Sequence, residues 1–517
     1  LIDPEVKIIF HISINTLTRI KQLNFPASTP AGICYNQHDF LTREVSMFFS
    51  YLAQEDIQAV HQATLRVLAE VGILLDDPEA RSILMDHGAQ ARRELLCLPA
   101  QLVEDCLRRC PPVVLLRGRG SQVELGSGKL FVHNMGGARD VQDHPGADLR
   151  PAASTDVAQS ARLLDALSNV DTVTPLYTPR DVPGELMVLT MFDQTLRSTL
   201  KPVNGPGVRN VQEARWLIEM MKVVFGDHPA VSMGASPVSP LNFTGDLPQV
   251  MFAVARAGLP FGPLPCPSVG ATAPMSLAGA LVQQNAEVLA SLVLVQLAAP
   301  GAPLVYCGRL SVLNMRSGAP IWGNPEVGMM SAATVQLAHF YHLPVNVYGL
   351  ADSGYAADMQ GGYERAINAL VPALAGADEL SGVGEMAGGV CSANYQMVID
   401  DDIFGMLRRI LRGFQVDEHS LAVDVIAHAM STSHNFLAEK HSRHYLRQGE
   451  VWSGRLGLHE SGWDQWRDAG SPTVLQRAQA ASQEILATHQ VPPLPPEQAR
   501  ALDEIMSAAA RQAGVAG

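Results

Sequence analysis

The sequence predicts an α/β protein: a (β/α)8 TIM barrel with a helical segment before it and a helical cap after it. Three observations predict this fold. Eight short apolar runs ending in Gly, Pro, Ser or Asn recur between residues 131 and 386, and eight parallel strands are what such a barrel requires. Longer helix-like segments separate the runs, as parallel pairing demands of its crossovers. The rival doubly wound sheet would place a GxGxxG between a first strand and its helix, and the sequence has none there.

Taken in order, residues 1–46 read as an irregular leader. "VKIIFHISINTLTRIKQLNFPASTPAG" lacks periodicity, His11 interrupts its apolar part as a signal peptide, and Met47 is the first methionine, which points to a start there. Residues 47–120 read as an N-terminal helical segment, with Ile57, Val60, Ala63, Leu65 and Leu68 at helical spacing and Gly72 as the stop. "VELGSGKLFVH" then reads as a hairpin about its Gly-Ser-Gly turn.

The barrel is expected over 121–400. Its runs are "FVHNM" (131), "TVTPLYT" (172), "KPVNGP" (201), "AVSMGASP" (230), "PFGPLPCP" (260), "PLVYCGR" (303), "PVNVYGL" (344) and "ELSGVGEM" (379). Between them, "STDVAQSARLLDALSNV" opens with a Ser/Thr cap and "NPEVGMMSAATVQLAHFYH" with Asn-Pro, both helix-start signals. Residues 401–517 read as a polar C-terminal helical cap.

Composition narrows the function. With 517 residues, 47% hydrophobic, and a formal charge of −14, the chain can bury a large core and does not suit a phosphate backbone, so no nucleic acid partner is expected. The apolar stretch 288–306 is cut by Gln296 and "PGAP", and is expected to be a buried helix too short for a bilayer of roughly 20 residues' span. Seven cysteines without CxxC indicate reduced thiols and a cytoplasmic location, and no GxxxxGK[ST] loop announces ATP.

In such a barrel the residues after each strand converge on one cavity. These include Asn134, Tyr177, Arg180, Asn204, Ser236, Cys266, Ser268, Tyr306, Arg309, Tyr348, Asp352, Tyr355 and Glu385, with no clustered His or carboxylates, so no metal site is expected. "HSRH" (441–444) reads as a solvated helix face.

Four separated motifs then carry a resemblance: "ATLRVLAEVGILLDDPEAR", "NMRSGAPIWGNPE", "YGLADSGYAADMQGGYE" and "HNFLAEKHSRHYLRQGEVW…GWDQWRDAGSPTVLQRA". Together they resemble the trimethylamine methyltransferase superfamily, the corrinoid-dependent MttB-like proteins, from about residue 53 to about 510. The resemblance implies a TIM barrel that moves a methyl group from a methylated amine to the Co(I) corrinoid of a separate carrier protein. No cofactor is then held tightly by the chain itself. Founding members carry pyrrolysine, whose place here falls near Gly349 to Tyr355 among standard residues. That departure implies the pyrrolysine-lacking branch resembling glycine betaine methyltransferase, whose donor is a quaternary amine.

A quaternary donor gives roles to the strand-end residues. Tyr177, Tyr306, Trp322, Tyr348 and Tyr355 are candidates for an aromatic cage, each face worth about 0.5–2 kcal/mol to an ammonium. Asp352 and Glu385 are candidates to balance its charge, and Arg309, Arg316 or Arg180 to grip a betaine carboxylate. Asn134 and Gly136 in "NMGG", with Gly388 in "GEMAGG", offer exposed amides and close approach for the corrinoid macrocycle. Packing tyrosines, capping acids, loop-tying arginines and turn glycines explain the same residues one at a time. Two other readings stand beside this one: a non-catalytic quaternary-amine binder, and a barrel enzyme using Cys266 or Cys307 as nucleophile with His133 as base. The apolar barrel helices leave room for a homo-oligomer, and no membrane partner is expected.

Overall fold

The computed structural model describes residues 49–226, 231–457 and 461–515, which belong to one compact unit. The leader expected over residues 1–46 lies outside them. The protein is a mixed α/β molecule in which strands run parallel and helices connect them.

All eight apolar runs pair in parallel. Ser232–Ala235 is flanked by Asn204–Gly207 and Phe261–Pro263, with Gly234 opposite Gly262. Val345–Tyr348 is flanked by Tyr306–Gly308 and Glu379–Val383, and the latter pairs with Phe131–Asn134. Isolated parallel bridges, His133 to Thr172, Val173 to Val203 and Phe261 to Leu304, join the remaining runs. The strands are buried on both faces, which explains why they read as continuous apolar runs rather than alternating ones.

Connecting helices form where the sequence has caps and apolar stripes. Asn210 caps Val211–Phe225 by accepting from the Glu213 N–H at 2.9 Å, and Pro325 sits in the first turn of Pro325–Phe340. Ser154 does not cap its helix as the sequence suggested. It is the first residue of Ser154–Ala166, its hydroxyl bonds Asp181, and Asp156 reaches back to the Ala153 N–H at 2.8 Å. The apolar stretch beginning at 288 belongs to a longer helix than expected, Leu277–Ala298, because the helix starts upstream of the stretch. It is the one described helix long and apolar enough to span a bilayer, but 78% of that span is buried within the protein.

Before the parallel strands, Gln54–Arg66 continues through a π turn to Val71 and stops at Gly72, whose φ of 86° and close approach to the Leu96 carbonyl both exclude a side chain. The stretch to residue 120 also holds a small antiparallel sheet of Ile73–Leu74, Leu95–Cys97 and Gln90–Arg92. The expected hairpin across "GSGK" does not form. Gln122–Leu125 pairs backward with Val114–Arg117, while Phe131–Asn134 joins the parallel strands. That hairpin packs Val114, Leu116, Val123 and Leu125 against Val305 and Cys307, closing one end of the strands. After residue 401 the chain is helical, with Val474–Thr488 packed on Asn394–Arg412 and Pro496–Ala513 on Val211–Phe225.

Candidate functional site

A cavity of about 260 Å³ lies among the parallel strands. Leu125, Val305, Asn204 and Glu379 lie toward the hairpin-closed floor; Arg309, Tyr348, Glu385, Gly388 and Gly389 come from strand ends and following turns. Gly234 and Gly262 keep one wall bare. A methyl group on Gly234 would meet Leu264 at 2.7 Å, and one on Gly262 would meet Cys307 Sγ at 3.1 Å.

Two carboxylates reach this space. Glu385 is 3% exposed, and its carboxyl has no hydrogen-bond partner among the described residues. Burial pushes it up to about 8, with Arg365 and Arg309 pulling the other way and Asp352 and Asp400 adding to the rise. Glu379 is 1% exposed and accepts from Thr172 Oγ1 and Asn204 Nδ2 at 2.8 Å each and from Asn346 Nδ2.

Arg309 is the cation of the cavity wall. It donates to the Gly308 and Asn346 carbonyls at 3.0 Å and to Asn346 Oδ1, and its guanidinium lies 4.7 Å from the centre of the Tyr348 ring. Trp322 meets the same ring edge-on at 5.0 Å. One face of Tyr348 is therefore taken by an internal cation–π contact. His133 Nε2 accepts from Asn346 Nδ2 at 2.9 Å, and burial lowers its pKa, favouring the neutral ring.

The sequence-derived candidates divide between this cavity and other places. Gly136, Arg309, Tyr348, Glu385 and Gly388 line it. Asn134 instead stitches two strands, donating to the Thr174 carbonyl at 2.7 Å and accepting from the Thr174 N–H at 2.8 Å. Tyr306 turns outward, donating to Asn285 at 2.9 Å and stacking on Tyr341. Tyr177 is buried in the main core, away from the lining. Trp322 touches Tyr348 without lining the cavity, and Tyr355 is 85% exposed. Asp352 is held by Arg365, which also pairs with Asp400 at 3.3 Å and donates to the Glu385 carbonyl.

Glu379, Asn346 and His133 complete the site beyond the strand-end inventory. Their signal was an acid, an amide and an imidazole within otherwise apolar strands. The thiols have the opposite of nucleophilic tuning: burial pushes Cys307 up to about 12, and Cys266, an exposed residue that lines the cavity, has its thiol desolvated and pushed up to about 11. Among the described residues no group of three or more His, Cys, Asp or Glu is arranged to hold a metal ion.

Comparison with known proteins gives this geometry a family. Residues 31–514 match the family described as trimethylamine methyltransferase (MTTB). The chain is 30% identical over 474 residues to the trimethylamine methyltransferase MttB of Desulfitobacterium hafniense, covering 90% of this chain and 95% of that one. It is 32% identical over 463 residues to MttB of Methanosarcina barkeri, covering 85% and 91%. The glycine betaine methyltransferase of Desulfitobacterium hafniense is similar at 27% identity over 468 residues, covering 87% and 95%. A methyltransferase whose two buried acids face a cavity among its parallel strands, the chain belongs to the trimethylamine methyltransferase family.

Proposed function

We propose that this protein transfers a methyl group from a quaternary amine of the glycine betaine type to the corrinoid of a separate carrier protein. Its site lies in a (β/α)8 barrel over residues 121–400, between an N-terminal segment over 47–120 and a C-terminal helical cap over 401–517. The parallel pairing of all eight runs supports the barrel, three of its joins being single bridges rather than ladders.

The observation that carries the reading is the cavity's charge. It presents two buried acids and one arginine already engaged with Asn346, and no thiol or imidazole tuned as a nucleophile or base. This suits a substrate that arrives already positive. A tertiary amine would have to leave as an amide anion; a quaternary one leaves as a neutral amine and needs no proton. The chain's task is then to orient the cation and exclude water. Tyr348 gives an aromatic face, Glu385 a buried carboxyl that an incoming cation would ionise, and Arg309, on exchanging Asn346 for the substrate, a partner for a betaine carboxylate.

The corrinoid, when the carrier presents it, supplies the Co(I) nucleophile. The rim fits a flat macrocycle: Gly136, Gly388 and Gly389 line it without side chains, and a methyl on Gly388 would come within 2.8 Å of Trp322. Exposed apolar Val238, Met275, Met315 and Tyr355 stand in loops after the strands, Met359 begins the helix Met359–Leu374, and together they offer the carrier a contact surface. We place the reaction in the cytoplasm, where reduced thiols and Co(I) both persist.

The test mixes protein, reduced carrier and amine and follows the Co(I) absorption. It should disappear with a quaternary amine and persist with trimethylamine. Loss with trimethylamine alone would overturn the quaternary assignment, and amine binding without Co(I) loss would favour a binding protein.

A further inference from the structure

Glu379 opens the strand Glu379–Val383 at the cavity floor, 1% exposed. Thr172, Asn204 and Asn346, its three hydrogen-bond donors, are all neutral. Among the described residues no cation forms an ion pair with it. Arg309 donates to Asn346 and to backbone carbonyls instead, and burial keeps His133 neutral. A buried carboxylate without a cation costs several kcal/mol, so such groups are ordinarily paired. A second observation points into the same space. Asn204 lines the cavity at 6% exposure, and its Oδ1 has no hydrogen-bond partner among the described residues.

We propose that Glu379 is the fixed counter-charge of the substrate ammonium and that Asn204 Oδ1 is a second acceptor beside it. The proposal rests on the quaternary-amine reading above and adds the residue that makes the cavity choose charge over shape. A quaternary nitrogen has no N–H, and its positive charge is spread over N-methyl hydrogens, which are weak donors. Its complement is a buried anion with a neighbouring acceptor. Thr172, Asn204 and Asn346 hold that anion in one orientation before the cation arrives, so little ordering remains for binding to accomplish.

The experiment compares each cation with its neutral-carbon isostere by calorimetry: glycine betaine with 3,3-dimethylbutanoate, and choline with 3,3-dimethylbutan-1-ol. Wild type should favour at least one cation over its isostere by about tenfold or more. Glu379→Gln should cut that ratio at least about tenfold while changing isostere affinity less than about threefold, an effect a structural role would not produce. Glu379→Asp keeps a carboxylate at the same strand position, beside Thr172, Asn204 and Asn346, and should retain the ratio. It also serves if Glu379→Gln does not fold.

An unchanged ratio in Glu379→Gln, or a lost ratio in Glu379→Asp, would overturn the proposal. If wild type consumes Co(I) with a quaternary amine while Glu379→Gln keeps its ratio, only this inference falls. If wild type prefers neither cation to its isostere, the quaternary-amine reading falls with it.

Discussion

Two groups of buried acids lie along and just beyond the strand Glu379–Val383, and they differ in one respect. Asp352 and Asp400 share Arg365, itself 2% exposed, which also ties down the Glu385 backbone. Glu379 and Glu385 have no such cation and face open space. Identical chemistry thus takes opposite meaning under the proposed function: acids with a matched guanidinium hold turns together, and acids without one are the ones proposed to meet a cationic substrate. An acid at a strand end is informative only once its partner is known.

The sharpest way to break this contrast is to remove the cation from the paired group. Arg365→Met leaves Asp352 and Asp400 buried and unpaired, and should lose about 3–5 kcal/mol in denaturant unfolding. Wild-type stability in that variant would remove the distinction.

The next effect belongs to Glu385. Its folded pKa of about 8 lies above its ordinary 4.5, so between those values the folded protein holds a proton that the unfolded chain releases. Stability from this group is full below about 4.5 and is lost as pH rises toward 8, by at most about 1.4 kcal/mol per pH unit. Glu385→Gln should remove that slope, as read from unfolding curves of both proteins across pH. Binding a cation favours the ionised acid, so affinity for a net-cationic amine should rise with pH toward 8 and binding should release protons, detectable in buffers of different ionisation enthalpy. Proton-neutral, pH-insensitive binding would place the cation elsewhere.

A smaller loss is expected from Tyr348→Ala, which removes an aromatic face and the platform under Arg309: about three- to tenfold in amine affinity by calorimetry. Smallest is Tyr355→Ala. At 85% exposure it should stay within about 0.5 kcal/mol of wild type in stability and leave amine affinity unchanged, while raising the carrier concentration needed for half-maximal rate.

The positions of the eight runs were legible because each apolar segment is punctuated by Gly, Pro, Ser or Asn. Which side chains face the cavity was much less so. Val305 and Cys307 line it while Tyr306 between them points into the helices, an offset of a single residue. Strands buried on both faces carry no polar–apolar alternation, so the inward frame leaves no trace in composition. Asp352 looked like Glu385 from the chain alone because the arginine that neutralises it lies a helix away. The "GSGK" turn misled for a related reason: turn chemistry is local, whereas Phe131–Asn134 takes its partner from Glu379–Val383, far along the chain.

The bare wall made by Gly234 and Gly262 leaves this chain's cavity adjustable at two positions. These glycines sit opposite each other in adjacent strands and neither has a left-handed backbone, so alanine there is opposed by crowding from side-chain atoms of Leu264 and Cys307 rather than by conformation. Trimming a neighbour such as Leu264 or Cys307 would admit that extra carbon and reshape the chamber one methyl at a time. Paired substitutions on this wall are therefore expected to change the bulk of ligand the cavity admits while leaving its acids untouched.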